Sequence, residues 1–448
     1  MALPGVWVFL SEWVEKKSYW FWPTQKLSIM LSRKGDTPTP RKSMRKQQVV
    51  SSWAEASFGR SMSQKWKEEA LSGAQGGRDL VVNRWLARAT LDIIGEAAFN
   101  YDFGTLDNQE NKVSKAYHNM FSKSLLHPPR WDVLFKATWK YWPAAVLDLV
   151  QYIPTREYTH FRRTRGIIEG VAQELVDAKK SALLSGDPKS KDIMSILVKA
   201  NASEDPKSRL SDEEMIAQMA TLTLAGHETT SNTLSWALWE IAKLPEYQET
   251  MRAEIASVRG KVAERGDNDF TMEDLESMTY VNAALKETLR YHPVVFHMTR
   301  AAVQDDVIPL SKPIHSKSGD AISEIPVSAG QSVLISVCAY NRLVDVWGED
   351  AQEFNPMRWI DNPTEKEVKV GVYSNLMTFS GGIRSCIGWR FTLLETLSLL
   401  VELIENFRFS LSSEEAEIMR VPAGIMIPMV RGRMGEGTQM PLHVSLVQ

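Results

Sequence analysis

Cysteine is nearly missing from this chain of 448 residues: only Cys338 and Cys386 occur. Two thiols cannot complete a four-cysteine zinc site or an all-cysteine iron–sulfur site, and they cannot staple a chain of this size as a disulfide scaffold. The count leaves room for one cysteine with a single special task. Long apolar runs are missing too. A spanning helix needs ~20 mostly apolar residues, and no such stretch occurs. Neither charge dominates, because 52 Lys/Arg minus 55 Asp/Glu gives −3; nothing in that balance suggests a nucleic-acid partner. Several chemistries are closed by absent motifs. There is no G-x-x-x-x-G-K-[ST] loop, no G-x-G-x-x-G and no G-x-S-x-G. His227-Glu228 is not the start of a zinc-protease motif, since the position four after His227 is Ser231.

The charges that are present are unevenly placed. Residues 1–60 hold ten Lys/Arg against four Asp/Glu, a local +6, so the remainder carries −9. The same segment contains Trp7, Trp13, Trp20 and Trp22. Its positive Lys16 and Lys17 follow the short apolar run instead of preceding it, unlike a signal peptide. Two readings stand: a basic, poorly ordered end, or an interfacial amphipathic segment that uses Trp and Lys at a membrane surface.

The body of the chain is periodic at helical spacing. Trp66 to Phe99 reads as helix broken by the Gly73–Gly77 cluster, and Phe161 to Leu184 as a long charged amphipathic helix. Ser211 with Glu214, and Thr271 with Asp274, have the form of capping boxes. The first predicts a helix to Leu244, stopped by Pro245; the second predicts one ending near Tyr291. After Pro293 the segments Val294 to Leu310, Ala321 to Val327 and Ser332 to Ala339 read as short strands. Cys338 then falls on a strand. Helix returns from Trp389 to Ile404, ahead of a hairpin-like tail. The expected fold is mainly α with a minor β part, in a single large domain.

Chemistry concentrates in Phe379-Ser-Gly-Gly382-Ile-Arg384-Ser-Cys386-Ile-Gly388, just before the Trp389 helix. A cysteine at a helix N-terminus, with Arg384 two residues away, is favoured as thiolate, the form that ligates metal. Glycines there let the backbone approach something large and flat. A buried cysteine that merely packs in a glycine turn fits these residues equally well.

The full arrangement resembles the haem-binding signature F-x-x-G-x-R-x-C-x-G of the cytochrome P-450 family, at Phe379, Gly382, Arg384, Cys386 and Gly388. Three further matches follow the family's order. Ala225-Gly226-His227-Glu228-Thr229-Thr230 is similar to [AG]-G-x-[DE]-T, and Glu287-Thr-Leu-Arg290 to E-x-x-R. Phe354-Asn-Pro-Met-Arg358-Trp359 is similar to F-x-P-E-R-W, with Met357 in place of the glutamate. The resemblance covers roughly residues 60 to 448 and is to the eukaryotic microsomal, fungal type.

The resemblance implies a haem-thiolate monooxygenase with heme b ligated by Cys386. Glu228 and Thr229 are the implied acid–alcohol pair delivering protons for O–O cleavage, and Gly226 lets their helix approach the haem. Glu287, Arg290 and Arg358 form a structural triad. Phe379, Gly382, Arg384 and Gly388 cradle the cofactor, with Arg384 and Arg300 as propionate partners and Arg45 as a weaker third. Implied partners are O2, a small apolar substrate and an NADPH-dependent flavoprotein reductase; the implied place is the cytosolic face of the endoplasmic reticulum membrane, with peripheral contact. Residues 1–47 are expected to be an atypical basic segment in which the family's anchor and hinge are missing, and residues 48–448 the catalytic domain. Two rivals are an isomerase or dehydratase that needs no reductase, which the Glu228-Thr229 pair argues against, and a chain whose altered N-terminus prevents haem loading. Trp139, Tyr141, Trp142 and the segment from Leu147 to Tyr152 are expected to pack in the core, and Asn201-Ala-Ser203 to be a chance glycosylation sequon.

Overall fold

A computed structural model describes residues 57–447 apart from 74–75, 108–110, 118–133, most of 135–155, 185–191, 204–208, 362–369, 413 and 415. Arg45 and the segment 1–47 lie outside the described residues. Helix dominates, as the periodicity predicts, with strands confined to short pieces. A helix over 57–65 widens into a π-helical turn over Trp66–Ala70, after which β1 (Arg78–Val81) leads directly into α1 (Val82–Phe99). The glycine cluster is therefore followed by a strand before the second helix begins. That strand exists because a distant partner supplies its ladder, which local periodicity does not encode. Downstream come α2 (Lys112–Tyr117), α3 (Arg156–Leu184), α4 (Ile193–Ser203) and α5 (Asp212–Ala242).

Both capping boxes form. Ser211 Oγ accepts from the Glu214 amide at 3.2 Å while the Glu214 carboxylate accepts from the Ser211 amide at 2.9 Å. Thr271 and Asp274 do the same at the start of α7. Pro245 does not only end α5. It is the first residue of α6 (Pro245–Glu264), where its missing N–H costs nothing. The helix predicted from Thr271 is two helices, α7 (Met272–Ser277) and α8 (Thr279–Tyr291), broken at Met278, whose backbone is extended. The Glu254 carboxylate caps the second by accepting from the Tyr280 and Val281 amides at 2.9 and 3.1 Å.

The strands form four small antiparallel sheets. β2 (His297–Ala301) pairs with β5 (Ser332–Ser336), and β3 (Asp306–His315) with β4 (Ala321–Val327). Cys338 lies just past β5 on a helical turn, Val337–Tyr340, and not on a strand as expected; Ser336 caps that turn by accepting from the Ala339 amide. After α9 (Trp389–Asn406), β6 (Phe407–Leu411) and β9 (Pro441–Leu446) join β1 in the order β1-β9-β6, while β7 (Ile418–Ala423) and β8 (Ile425–Val430) form a separate hairpin.

Two hydrophobic cores meet along α5. Its N-terminal half places Met215, Met219 and Ala220 among residues of α1, α2, α3 and α4. Its C-terminal half places Leu234, Trp236, Leu238 and Ile241 among α6, α8, α9, β6 and β9. The polar middle of α5 thus falls at the junction of the cores, and Phe391 on α9 packs against both. Among the described residues no helix is long and apolar enough to cross a membrane.

Candidate haem-thiolate site

The cysteine loop is held by its own backbone. Gly382 to Arg384 form one 3-10 turn, the Cys386 amide donates to the Phe379 carbonyl at 2.8 Å, and α9 starts immediately after Gly388. Gly382 has φ +67°, which favours glycine on conformational grounds alone. A Cβ at Gly382 or at Gly388 would meet nothing within 4 Å. Phe379 anchors the loop from beneath, buried in the main core and edge-on to Tyr373. Ile383 (91% exposed) and Ile387 (53%) project outwards.

Cys386 is accessible at its surface although protein surrounds it on most sides. Burial pushes its thiol up from the ordinary value, and the Gly388 backbone N–H only partly offsets this. The expectation that the helix end and Arg384 favour thiolate is therefore not met by the protein alone. A bound cation that pairs with the sulfur is what would stabilise thiolate here. A turn that is open at Gly382 and Gly388 and carries one accessible sulfur fits a broad planar group ligated through that sulfur. Arg384 is exposed on the same turn; Arg300 lies on β2 opposite Val333 and donates to the Thr299 carbonyl at 2.9 Å.

The α5 motif occupies the junction of the cores. Buried and half-buried hydroxyls there are satisfied within the helix: Thr229 Oγ1 donates to the Ala225 carbonyl at 2.6 Å and Thr230 to that of Gly226 at 2.9 Å. Ala225 is exposed in the middle of this otherwise packed helix, so open space lies on the Ala225–Thr229 face. Glu228, next to Thr229, has a side chain 15% exposed, with Oε2 3.4 Å from Asn232 Nδ2. His227 is buried on the opposite side against Tyr117.

Gly226 has a packing role in addition to the one expected of it. A Cβ there would lie 2.8 Å from both Cδ1 and Cγ1 of Ile94, so the glycine lets α1 pack on α5. The only sequence signal for this was the motif glycine itself; its partner on α1 carries none.

The triad forms and is larger than the motifs imply. Arg290 donates to Glu287 through Nε at 2.9 Å and a terminal nitrogen at 2.7 Å, both side chains being fully buried. Arg358 Nε lies 3.4 Å from the same carboxylate. The Trp359 indole N–H donates to Glu287 at 2.9 Å and the Asn355 amide at 2.8 Å. Arg290 also donates to the carbonyls of Asn341, Ala351 and Glu353. Arg358 also pairs with Asp350 at 2.7 Å, so two carboxylates face the two guanidiniums, which is the condition for burying such a set.

One lesser expectation changes. Tyr141 and Trp142 are exposed, as is Leu149, so they do not pack in the core; Trp139 lies outside the described residues. The Asn201 side chain is buried, accepting from the Leu210 amide at 2.6 Å and donating to its carbonyl at 3.0 Å, so the sequon is closed in the folded chain. A small cleft between α2, α3 and α5 is lined by Phe103, Tyr117, Met219 and Thr223 among others, and by none of the predicted site residues.

Comparison with known proteins shows the family. The sequence model of the family described as Cytochrome P450 matches residues 32–434. Cytochrome P450 monooxygenase 205 of Postia placenta is 35% identical over 392 residues, 85% of this chain and 69% of its own length. Cytochrome P450 monooxygenase 128 of the same fungus is 34% identical over 395 residues, again 85% and 69%. Ganoderic acid synthetase CYP5150L8 of Ganoderma lucidum is 35% identical over 363 residues, 78% of this chain and 66% of its own. A family model that matches most of the chain, a mainly helical fold, and a lone accessible cysteine on an open glycine turn agree: the chain belongs to the cytochrome P450 family, as a fungal haem-dependent oxidoreductase of the monooxygenase type.

Proposed function

We propose that the chain inserts one oxygen atom of O2 into a C–H bond or an alkene of a small, mostly apolar organic molecule, with electrons from an NADPH-dependent flavoprotein reductase. Residues 48–448 are the catalytic domain in this reading, and its place is the cytosolic face of the endoplasmic reticulum membrane, by likeness to the family. Cys386 is the iron ligand, in the loop formed by Phe379, Gly382 and Gly388. Arg384 and Arg300 are the cations for the haem propionates, with Arg45 as a third candidate. Bound haem supplies the activation of O2; the rest falls to the protein. Thr229 holds its hydroxyl on the carbonyl of the exposed Ala225, where it can hydrogen-bond an oxygen ligand or a water. Glu228, partly exposed and adjacent, is placed to pass protons to that hydroxyl.

The observation that carries the proposal is the accessible Cys386 sulfur on an open glycine turn. The test is the absorption spectrum of the reduced, carbon-monoxide-bound full chain. A thiolate-type band is expected, and Cys386→Ser should abolish it. Product should form only with reductase and NADPH; turnover without them would point to an isomerase or dehydratase instead.

A further inference from the structure

His227 has one end fixed and one end open. It is 1% exposed, and its Nδ1 lies 2.7 Å from the Thr223 carbonyl oxygen. A carbonyl only accepts, so Nδ1 carries a hydrogen and donates it. Nε2 is buried and has no hydrogen-bond partner among the described residues, yet it lies 3.6 Å from Oε1 of Glu228. That is too long for a formed hydrogen bond and short enough for a small side-chain adjustment to close it. Two neighbouring helices fix the residue. The Tyr117 ring of α2 packs edge-on at 4.6 Å between centroids, and the Thr90 hydroxyl of α1 donates to the His227 carbonyl at 3.1 Å. The other carboxyl oxygen of Glu228 faces Asn232 Nδ2 at 3.4 Å. Leaving a buried imidazole nitrogen unmatched is costly, and Glu228 is the group within reach.

We propose that His227 is the positioning residue for Glu228 and that the two side chains hold one proton between Nε2 and Oε1. The inference rests on the proton-delivery role proposed for Glu228. With the proton on Oε1 both groups are neutral; with it on Nε2 they are carboxylate and imidazolium. The exchange breaks one bond to hydrogen and forms another, with no further reactant. When Glu228 gives that proton towards Thr229, a carboxylate and a neutral imidazole are left, and a proton from solvent water at the partly exposed carboxyl restores the shared proton. Facing the imidazole are Tyr117 from α2 and Glu228 from α5 itself, while α1 presents the neutral hydroxyl of Thr90.

The test uses the full-length, haem-loaded protein in its reduced, carbon-monoxide-bound state. An infrared carboxylic acid band that disappears in Glu228→Gln identifies Glu228, and its titration midpoint is read in wild type and variants. His227→Phe, which can neither accept nor hold a proton, should move that midpoint by about one pH unit and raise hydrogen peroxide released per NADPH severalfold. His227→Gln reaches the Nε2 position with an amide; it should keep the midpoint displaced yet bring the peroxide release back within about twofold of wild type. If the phenylalanine variant fails to load haem, the glutamine variant's midpoint decides alone. An unchanged midpoint in a variant that shows the thiolate-type band would overturn the proposal. Full coupling in Glu228→Gln would instead remove the catalytic role of Glu228, and the infrared midpoint would still decide whether the two side chains share a proton.

Discussion

Ile94 on α1 fills the space that a side chain at Gly226 on α5 would need, its Cδ1 and Cγ1 lying 2.8 Å from the Cβ an alanine would add. The motif glycine is a helix-packing residue in this chain. Gly226→Ala should lower stability by about 1–3 kcal/mol, the usual range for overpacking. Ile94→Ala in the same background should be non-additive and restore part of the loss, because the two atoms compete for one space. Thermal unfolding of the four proteins checks this. A Gly226→Ala variant as stable as wild type, but unable to load haem, would return the glycine to a cofactor role.

Glu287 collects Arg290, Arg358, Trp359 and the Asn355 amide on one buried carboxylate. Glu287→Ala should cost about 3–5 kcal/mol, since it strands the guanidinium of Arg290 in the core. Trp359→Phe removes one hydrogen bond to a charged group and should cost less, about 1.5–3 kcal/mol. Urea denaturation measures both, and an unchanged dependence on urea concentration would show that the unfolded state is not what changed.

His292 gives a pH signature. It is fully buried, stacked on Trp236 at 4.5 Å, with Nε2 2.6 Å from Glu240. Burial lowers its pKa from 6.5 to about 4, opposed by Glu240 and assisted by Arg420 and Arg342. For Glu240, burial raises the pKa, but hydrogen bonds and charge from His292 and Lys243 outweigh it, and the carboxyl lies below its ordinary value. Between about pH 6.5 and 4 the unfolded chain therefore binds a proton at His292 that the folded chain does not. Stability falls as pH falls through this window, and Glu240 adds a loss of the same sign at the acid end. His292→Gln should flatten the slope between pH 6.5 and 4, and it should also weaken the Glu240 part, since His292 is the first of the two groups that hold that carboxyl down. Denaturation midpoints across that range test it; an unaltered slope would mean that His292 does not titrate as the structure requires.

Asn201 ties the start of α5 to the end of α4 by matching both backbone groups of Leu210. Asn201→Ala leaves a buried amide and carbonyl unmatched and should cost about 1–3 kcal/mol. Asn201→Asp keeps the acceptor and should cost less at neutral pH. Limited proteolysis in the 204–208 region, before and after substitution, reads the effect directly.

The motif residues show where sequence suffices. A capping box needs only neighbours three residues apart, so Ser211 and Thr271 announced their helices, and the cysteine loop carries its own turn chemistry in its glycines. The E-x-x-R pair is also local, because i and i+3 share a helix face. The contacts that complete these sites are not local. Ile94 and Gly226, Thr90 and His227, and Trp359 and Glu287 are brought together by packing of distant segments, and nothing in the spacing of either partner records the other. Pro245 was legible as a boundary but not as the start of a helix, since its fixed φ suits both roles. Cys338 was placed on a strand because alternation persists to Ala339, whereas the Ser336 hydroxyl turns the chain into helix one residue earlier.

The sequence by itself determined the two capped helix starts at Ser211 and Thr271, the fold class and the one cysteine in a ligand's setting, since each is written in residues that act on their own neighbours. Only the tertiary structure decided that burial raises the Cys386 thiol despite the nearby arginine, that Gly226 makes room for Ile94, and that His227 turns its open nitrogen to Glu228. Those outcomes depend on what surrounds a group in three dimensions, and desolvation, close packing and hydrogen-bond matching are properties of that surrounding.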